Sequence, residues 1–74
     1  MVVAYILIQA SKGKAWPVRE EVLKVKGVVE AVCVTGIYDV IAKIEVSELK
    51  EISDVVKSVH SIDGVEKTHT AIAV

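Results

Sequence analysis

The sequence lacks the features that usually staple a small protein together. Its 74 residues include a single cysteine, Cys33, so no intramolecular disulfide can form. Cys33, His60 and His69 do not fall at zinc-ligand spacing, so no metal site is expected. Neither a glycine-rich phosphate loop, nor a CxxC, nor a carboxylate pair in a motif is present, and no cofactor is expected. An excess of one charge is missing too. Nine Lys plus Arg stand against ten Asp plus Glu, for a net charge of −1, which gives no general attraction to nucleic acid or to an anionic membrane. No apolar run approaches the ~20 residues of a membrane span. Met1 leads straight into a strand-like segment without a basic leader or cleavage site, so a cytoplasmic protein is expected.

Apolar side chains are abundant instead. Hydrophobic residues make up 53% of the chain, and the mean hydropathy is +0.52. That is high for one domain near the lower size limit for independent folding, whose surface should dominate. Small domains without staples often gain stability by association, so the excess points to an interface.

Taken in order, Val2 to Ala10 is a continuous apolar run, as expected of a central strand covered on both faces. Ser11 to Ala15 reads as a loop. Trp16-Pro17 opens a helix, with Trp16 read as a hydrophobic lid over its entrance or as a rim aromatic at an oligomer contact, and Pro17 in the first turn, where a missing N–H costs nothing. Val18, Val22, Leu23 and Val25 mark its apolar face, Glu20 and Glu21 lie early, Lys24 and Lys26 lie late, and Gly27 is the expected stop. Two β-branched runs, Val28–Thr35 and Asp39–Val46, then meet at Gly36 as a hairpin. Ser47 is the expected N-cap of a second helix with an apolar stripe at Leu49, Ile52, Val55, Val56 and Val59. After a turn at Ser61–Gly64, Val65 to Val74 reads as the last strand.

An internal echo orders these elements. A helix followed by Lys26-Gly27-Val28 recurs as a helix followed by Asp63-Gly64-Val65. Two βαβ halves joined at Gly36 predict an α+β, ferredoxin-like βαββαβ fold, a four-stranded antiparallel sheet with two helices on one face. Alternation in the strands then leaves apolar residues on the other face as well. That face predicts a homodimer in which two sheets oppose each other, a dimeric α+β barrel-like assembly.

The hairpin turn carries more chemistry than a connector needs: the Thr35 hydroxyl, open backbone N–H groups at Gly36, the Tyr38 phenol and the Asp39 carboxylate. These suit a small polar ligand. Read only as structure, Gly36 makes the turn, Asp39 receives backbone N–H groups and Tyr38 packs on the rim. Cys33, among valines, reads as a small core or interface residue. His60 and His69 sit in no catalytic motif.

The run from Gly27 to Ile41, which contains Thr35-Gly36-Ile37-Tyr38-Asp39, and the later Gly64-Val65-Glu66-Lys67-Thr68-His69-Thr70 closely resemble the effector-binding domain of Lrp/AsnC transcription regulators, the RAM domain. The resemblance covers residues 1–74 as one domain. It implies a βαββαβ fold, dimers through the sheets, assembly to tetramers or octamers, and amino-acid effectors bound between dimers near the hairpin turn. Residue by residue, it implies ligand contacts from Thr35, Gly36, Ile37, Tyr38 and Asp39, with Thr68 and Thr70 as further candidates. Asp39 would meet the ligand ammonium, and its replacement by Ala is expected to weaken binding with the fold intact. The helix-turn-helix of full-length regulators has no counterpart here, so the resemblance is to a stand-alone sensor or co-regulator that joins full-length relatives without binding DNA directly. Two alternatives remain on sequence grounds: a small dimeric α+β barrel enzyme, an isomerase or cofactor-free monooxygenase using His60 or His69 in a pocket, and a purely structural oligomerisation domain.

Overall fold

Nine consecutive residues, Val2–Ala10, form β1, and they explain the layout of the rest. Successive side chains of a strand point to opposite faces, so an unbroken apolar run needs cover on two sides. The computed structural model, which describes all residues from Met1 to Val74, puts this strand inside the sheet, but the chain itself covers only one of its two faces. The remaining elements are α1 (Ala15–Val22), β2 (Val28–Cys33), β3 (Val40–Val46), α2 (Lys50–His60) and β4 (Val65–Ile72). The sheet order is β2-β3-β1-β4, with every neighbouring pair antiparallel. This is the βαββαβ arrangement that the sequence predicts.

One face of the sheet carries the core. Ala4, Ile6 and Ile8 of β1, Ala31 of β2, and Val40, Ala42 and Ile44 of β3 are buried in one cluster with Val18 and Val22 of α1 and Ile52, Val55 and Val59 of α2. Both helices therefore pack on the same face. Cys33 is half-buried against this cluster, as expected of a small filler. The stripe of α2 is narrower than its sequence suggests: Val56 only partly packs, and Leu49 is 59% exposed.

The helix ends differ from the sequence reading. α1 begins at Ala15 and stops at Val22, so Lys24, Val25 and Lys26 lie in the following turns and cannot serve its last turn. Gly27 is thus not a helix stop. It is the third residue of a turn closed by Val28 N donating to Val25 O at 3.1 Å, and its φ of 100° is the positive value such a turn requires. The echo in the sequence is an echo of this turn: Val65 N donates to Ile62 O at 3.2 Å around Gly64, whose φ is 97°. Ser47 does not cap α2. That helix begins at Lys50, and Glu51 reaches back to accept from Glu48 N at 2.7 Å, so the stabilising carboxylate comes from inside the helix. Trp16 is no lid either. It is 66% exposed, with the Arg19 guanidinium 5.6 Å above its ring, and Arg19 Nε donates to Ala31 O on edge strand β2 at 2.9 Å.

The face without helices carries Val3, Tyr5 and Leu7 of β1, Val32 of β2 and Ile41 of β3, each alternating with a core residue. Val32, Ile41, Leu7 and His69 lie side by side across the four strands. Tyr5 is 40% exposed and Val32 41%. Polar residues border this row, with Lys43 Nζ 3.4 Å from Glu45 Oε2. No helix is long and apolar enough to cross a membrane.

The two turn glycines should respond differently to substitution. A Cβ at Gly27 would stand 3.0 Å from Val55 Cγ2 and 3.2 Å from Val46 Cγ1, so Gly27→Ala combines backbone strain with overpacking and should destabilise by about 2–4 kcal/mol. At Gly36, where φ is 109°, nothing lies within 4 Å, and Gly36→Ala should cost only the backbone strain of about 1–2 kcal/mol. Urea unfolding of both variants at one protein concentration checks the order.

Candidate functional site

The link between β2 and β3 spans residues 34–39 and is held from several directions. Val34 N donates to Asp39 O at 2.9 Å and closes the loop. Asp39 N then donates to Ile8 O at 2.8 Å, tying the loop to β1. The Asp39 side chain adds a second tie, its Oδ2 accepting from Ala10 N at 2.8 Å. A third comes from Gln9, whose Nε2 donates to Ile37 O at 3.1 Å. These contacts leave the tip open: Gly36 has free space above its Cα, Ile37 is 77% exposed, and Thr35 is exposed.

Tyr38 reaches further. Its hydroxyl lies 2.9 Å from Nδ1 of His69 on β4, and the two rings meet edge to face with centroids 5.8 Å apart at 86°. His69 pairs with Leu7, so it stands on the face without helices. The phenol therefore crosses over β1 and links the turn to an edge strand.

The structure brings together Thr35, Gly36, Ile37, Tyr38 and Asp39, as the sequence requires of consecutive residues, and adds Gln9 and His69. It does not bring Thr68 and Thr70 to them. Thr68 pairs with Ile8 and Thr70 with Ile6, both core residues, so these threonines lie on the helix side of β4. Thr68 Oγ1 is there 2.7 Å from His60 Nε2 at the end of α2. Asp39 also differs from its expected role. One of its oxygens is committed to the backbone of β1, so the view that its removal leaves the fold intact gives way to one in which the carboxylate is also a structural tie. The signal for His69 was its parity: it alternates with Thr68 and Thr70, and once those face the core side, it must face the other.

Two concavities mark the surface. A groove of about 390 Å³ lies beside Gly27 and the end of β3, where Glu45, Glu51 and Asp54 contribute carboxylates. It is at the opposite end of β3 from the turn. A depression of about 210 Å³ lies on the face without helices, lined by Tyr5, Glu30, Val32, Ile41 and Lys43. Neither is lined by His60 or His69.

Comparison with known proteins gives this geometry a context. The transcriptional regulator FL11 of Pyrococcus furiosus is 38% identical over 71 residues, covering 96% of this chain and 47% of the regulator. The chain thus spans about half the length of the curated relatives it matches. Among solved structures, TTHA0845 from Thermus thermophilus superposes with a TM-score of 0.94 at 31% identity, covering 100% of this chain and 94% of that one. The protein PHS023 from Pyrococcus horikoshii gives 0.90 at 35% identity, with 100% and 90% covered. A more distant likeness, to the transcriptional regulator NMB0573 of Neisseria meningitidis, described as a complex with L-Met, has a TM-score of 0.80 at 22% identity over 99% of this chain and 49% of that one, and shows the shared fold. The family model of the Lrp/AsnC ligand binding domain matches residues 3–74, nearly the whole chain, and this protein belongs to that family.

Proposed function

We propose that this domain is an amino-acid-sensing, oligomeric module of transcription regulation, acting as a sensor or co-regulator and not as an enzyme. One observation carries the reading: the apolar sheet face at Tyr5, Leu7, Val32 and Ile41 is bare, and the Gly36 turn stands at its end. A second copy laid against that face buries it, and the turn then stands at a seam where a small ligand meets more than one subunit. Dimers joined at such seams would form tetramers or octamers.

The relatives support the class of function and of ligand. FL11 is a transcriptional regulator, and the Neisseria neighbour is described with L-Met. This domain covers 94% and 90% of two solved chains, which supports a role for the folded domain by itself, alone or joined to full-length regulators. At the turn, an α-amino acid presents its carboxylate to the open backbone N–H groups around Gly36 and to the Thr35 hydroxyl. Its ammonium meets Tyr38 Oη and the second oxygen of Asp39, charge-assisted contacts that fix its orientation. Ile37 offers an apolar surface for the ligand side chain. The mechanism is linkage: a ligand shared across the seam stabilises the assembly that binds it more tightly, and shifts the population only by that difference in affinity.

Sedimentation at micromolar concentration should give a mass that is a multiple of 8.0 kDa. Leu7→Lys, which puts a charge in the middle of the bare face, should shift that mass towards one chain while the circular dichroism stays native. A wild-type protein sedimenting as one chain would sink the proposal.

A thermal-shift panel of the standard L-amino acids should single out one or a few that raise the melting temperature. Asp39→Ala should abolish the shift and, by leaving Ala10 N without its acceptor, lower the unliganded stability by about 1–2 kcal/mol. Thr70→Ala, on the far side of the sheet, should keep the shift.

A further inference from the structure

We propose that His69 is a specificity-determining and positioning residue of the ligand turn: through its bond to Tyr38 it sets whether the phenol accepts from a ligand or donates to it. The inference rests on the amino-acid reading of the turn given above and adds its regulation by pH. Its starting point is a single contact, Tyr38 Oη to His69 Nδ1 at 2.9 Å, reinforced by the edge-to-face packing of the rings.

A phenol has one proton to give. A neutral imidazole has one nitrogen that donates and one that accepts, and the bond made by the first nitrogen decides which is which. A phenol O–H is the better donor of this pair and an imidazole nitrogen the better acceptor. The neutral pair is therefore Oη–H donating to Nδ1, with the histidine proton on Nε2. The phenol oxygen then keeps a lone pair free to accept from an ammonium. Protonation reverses the arrangement, because both nitrogens of the imidazolium donate. Nδ1–H then donates to Oη, the phenol proton turns outwards, and a cation stands beside the site. An ammonium loses its acceptor and meets a like charge.

The surroundings of His69 do not cancel this. On its own strand, Lys67 shares its face and adds positive charge. From β1, Tyr5, Leu7 and Gln9 face it without charge. Asp39 is the acidic group of the turn, and it already holds Ala10 N. Because the occupied state prefers the neutral imidazole, protonation of the ring weakens binding.

The test uses calorimetry with the L-amino acid giving the largest thermal shift, on wild type and His69→Asn, with ¹⁵N NMR of the imidazole in wild type and Tyr38→Phe. Asn keeps an acceptor near the position of Nδ1 but does not titrate. Wild type should bind about tenfold more weakly at about pH 5.5 than at about pH 8, the worth of one hydrogen bond to a charged group. His69→Asn should bind equally at both. The neutral wild-type ring should show the Nε2–H tautomer, and Tyr38→Phe should shift its Nδ1 resonance. A pH dependence that survives in His69→Asn, or an Nδ1–H tautomer in wild type, overturns the assignment to His69 alone. If no amino acid binds at either pH, the reading of the turn fails and this inference fails with it.

Discussion

Two helices can cover only one side of a four-stranded sheet, and this constraint shapes everything else in the molecule. The core is a single layer of small and β-branched residues between the sheet and the helices, drawn from alternate positions of β1, β2 and β3. Every buried residue on one face leaves a neighbour on the other. Because Leu7, Val32 and Ile41 are as apolar as the residues beneath the helices and Tyr5 adds an aromatic ring, the second face is a surface of unmet hydrophobic demand. The same alternation that builds the monomer therefore builds the case for its assembly.

The turn at the end of that face is stiff where it joins the sheet and open where it meets solvent. Asp39 is the hinge of this arrangement. Its backbone closes the loop and bonds to β1, while its side chain accepts from the next free N–H of the same strand. Gln9 and Tyr38 extend the network to the carbonyl of Ile37 and to β4. Gly36 and Ile37 are left to face outward on a fixed base. A binding turn gains from such prior ordering, because less conformational freedom remains to be lost when a ligand arrives. The structural and functional readings of Asp39 are thus compatible: the carboxylate that supports the turn also sets its electrostatics.

Much of this was legible in the chain before folding. Periodicity separated the helices from the strands, the repeated glycine turns set the order of the two halves, and Thr35-Gly36-Ile37-Tyr38-Asp39 identified its family. The errors fell at ends and faces. Ser47 and Gly27 carry good local signals for a cap and a stop, but both signals depend on where neighbouring elements pack. α2 starts three residues later than Ser47, and Gly27 is needed at the entrance to β2, against Val55 and Val46. Trp16 suggested a lid because large aromatics favour burial, yet the helix turns it outward beneath Arg19.

Sequence alone determined the βαββαβ order, the central place of β1 and which residues stand together in the Thr35–Asp39 turn, because these follow from periodicity and from residues adjacent along the chain. Only the tertiary structure decided which face of β4 meets the turn. Strand register, which no single strand encodes, sends Thr68 and Thr70 towards the helices and brings His69 to Tyr38 from 31 positions away.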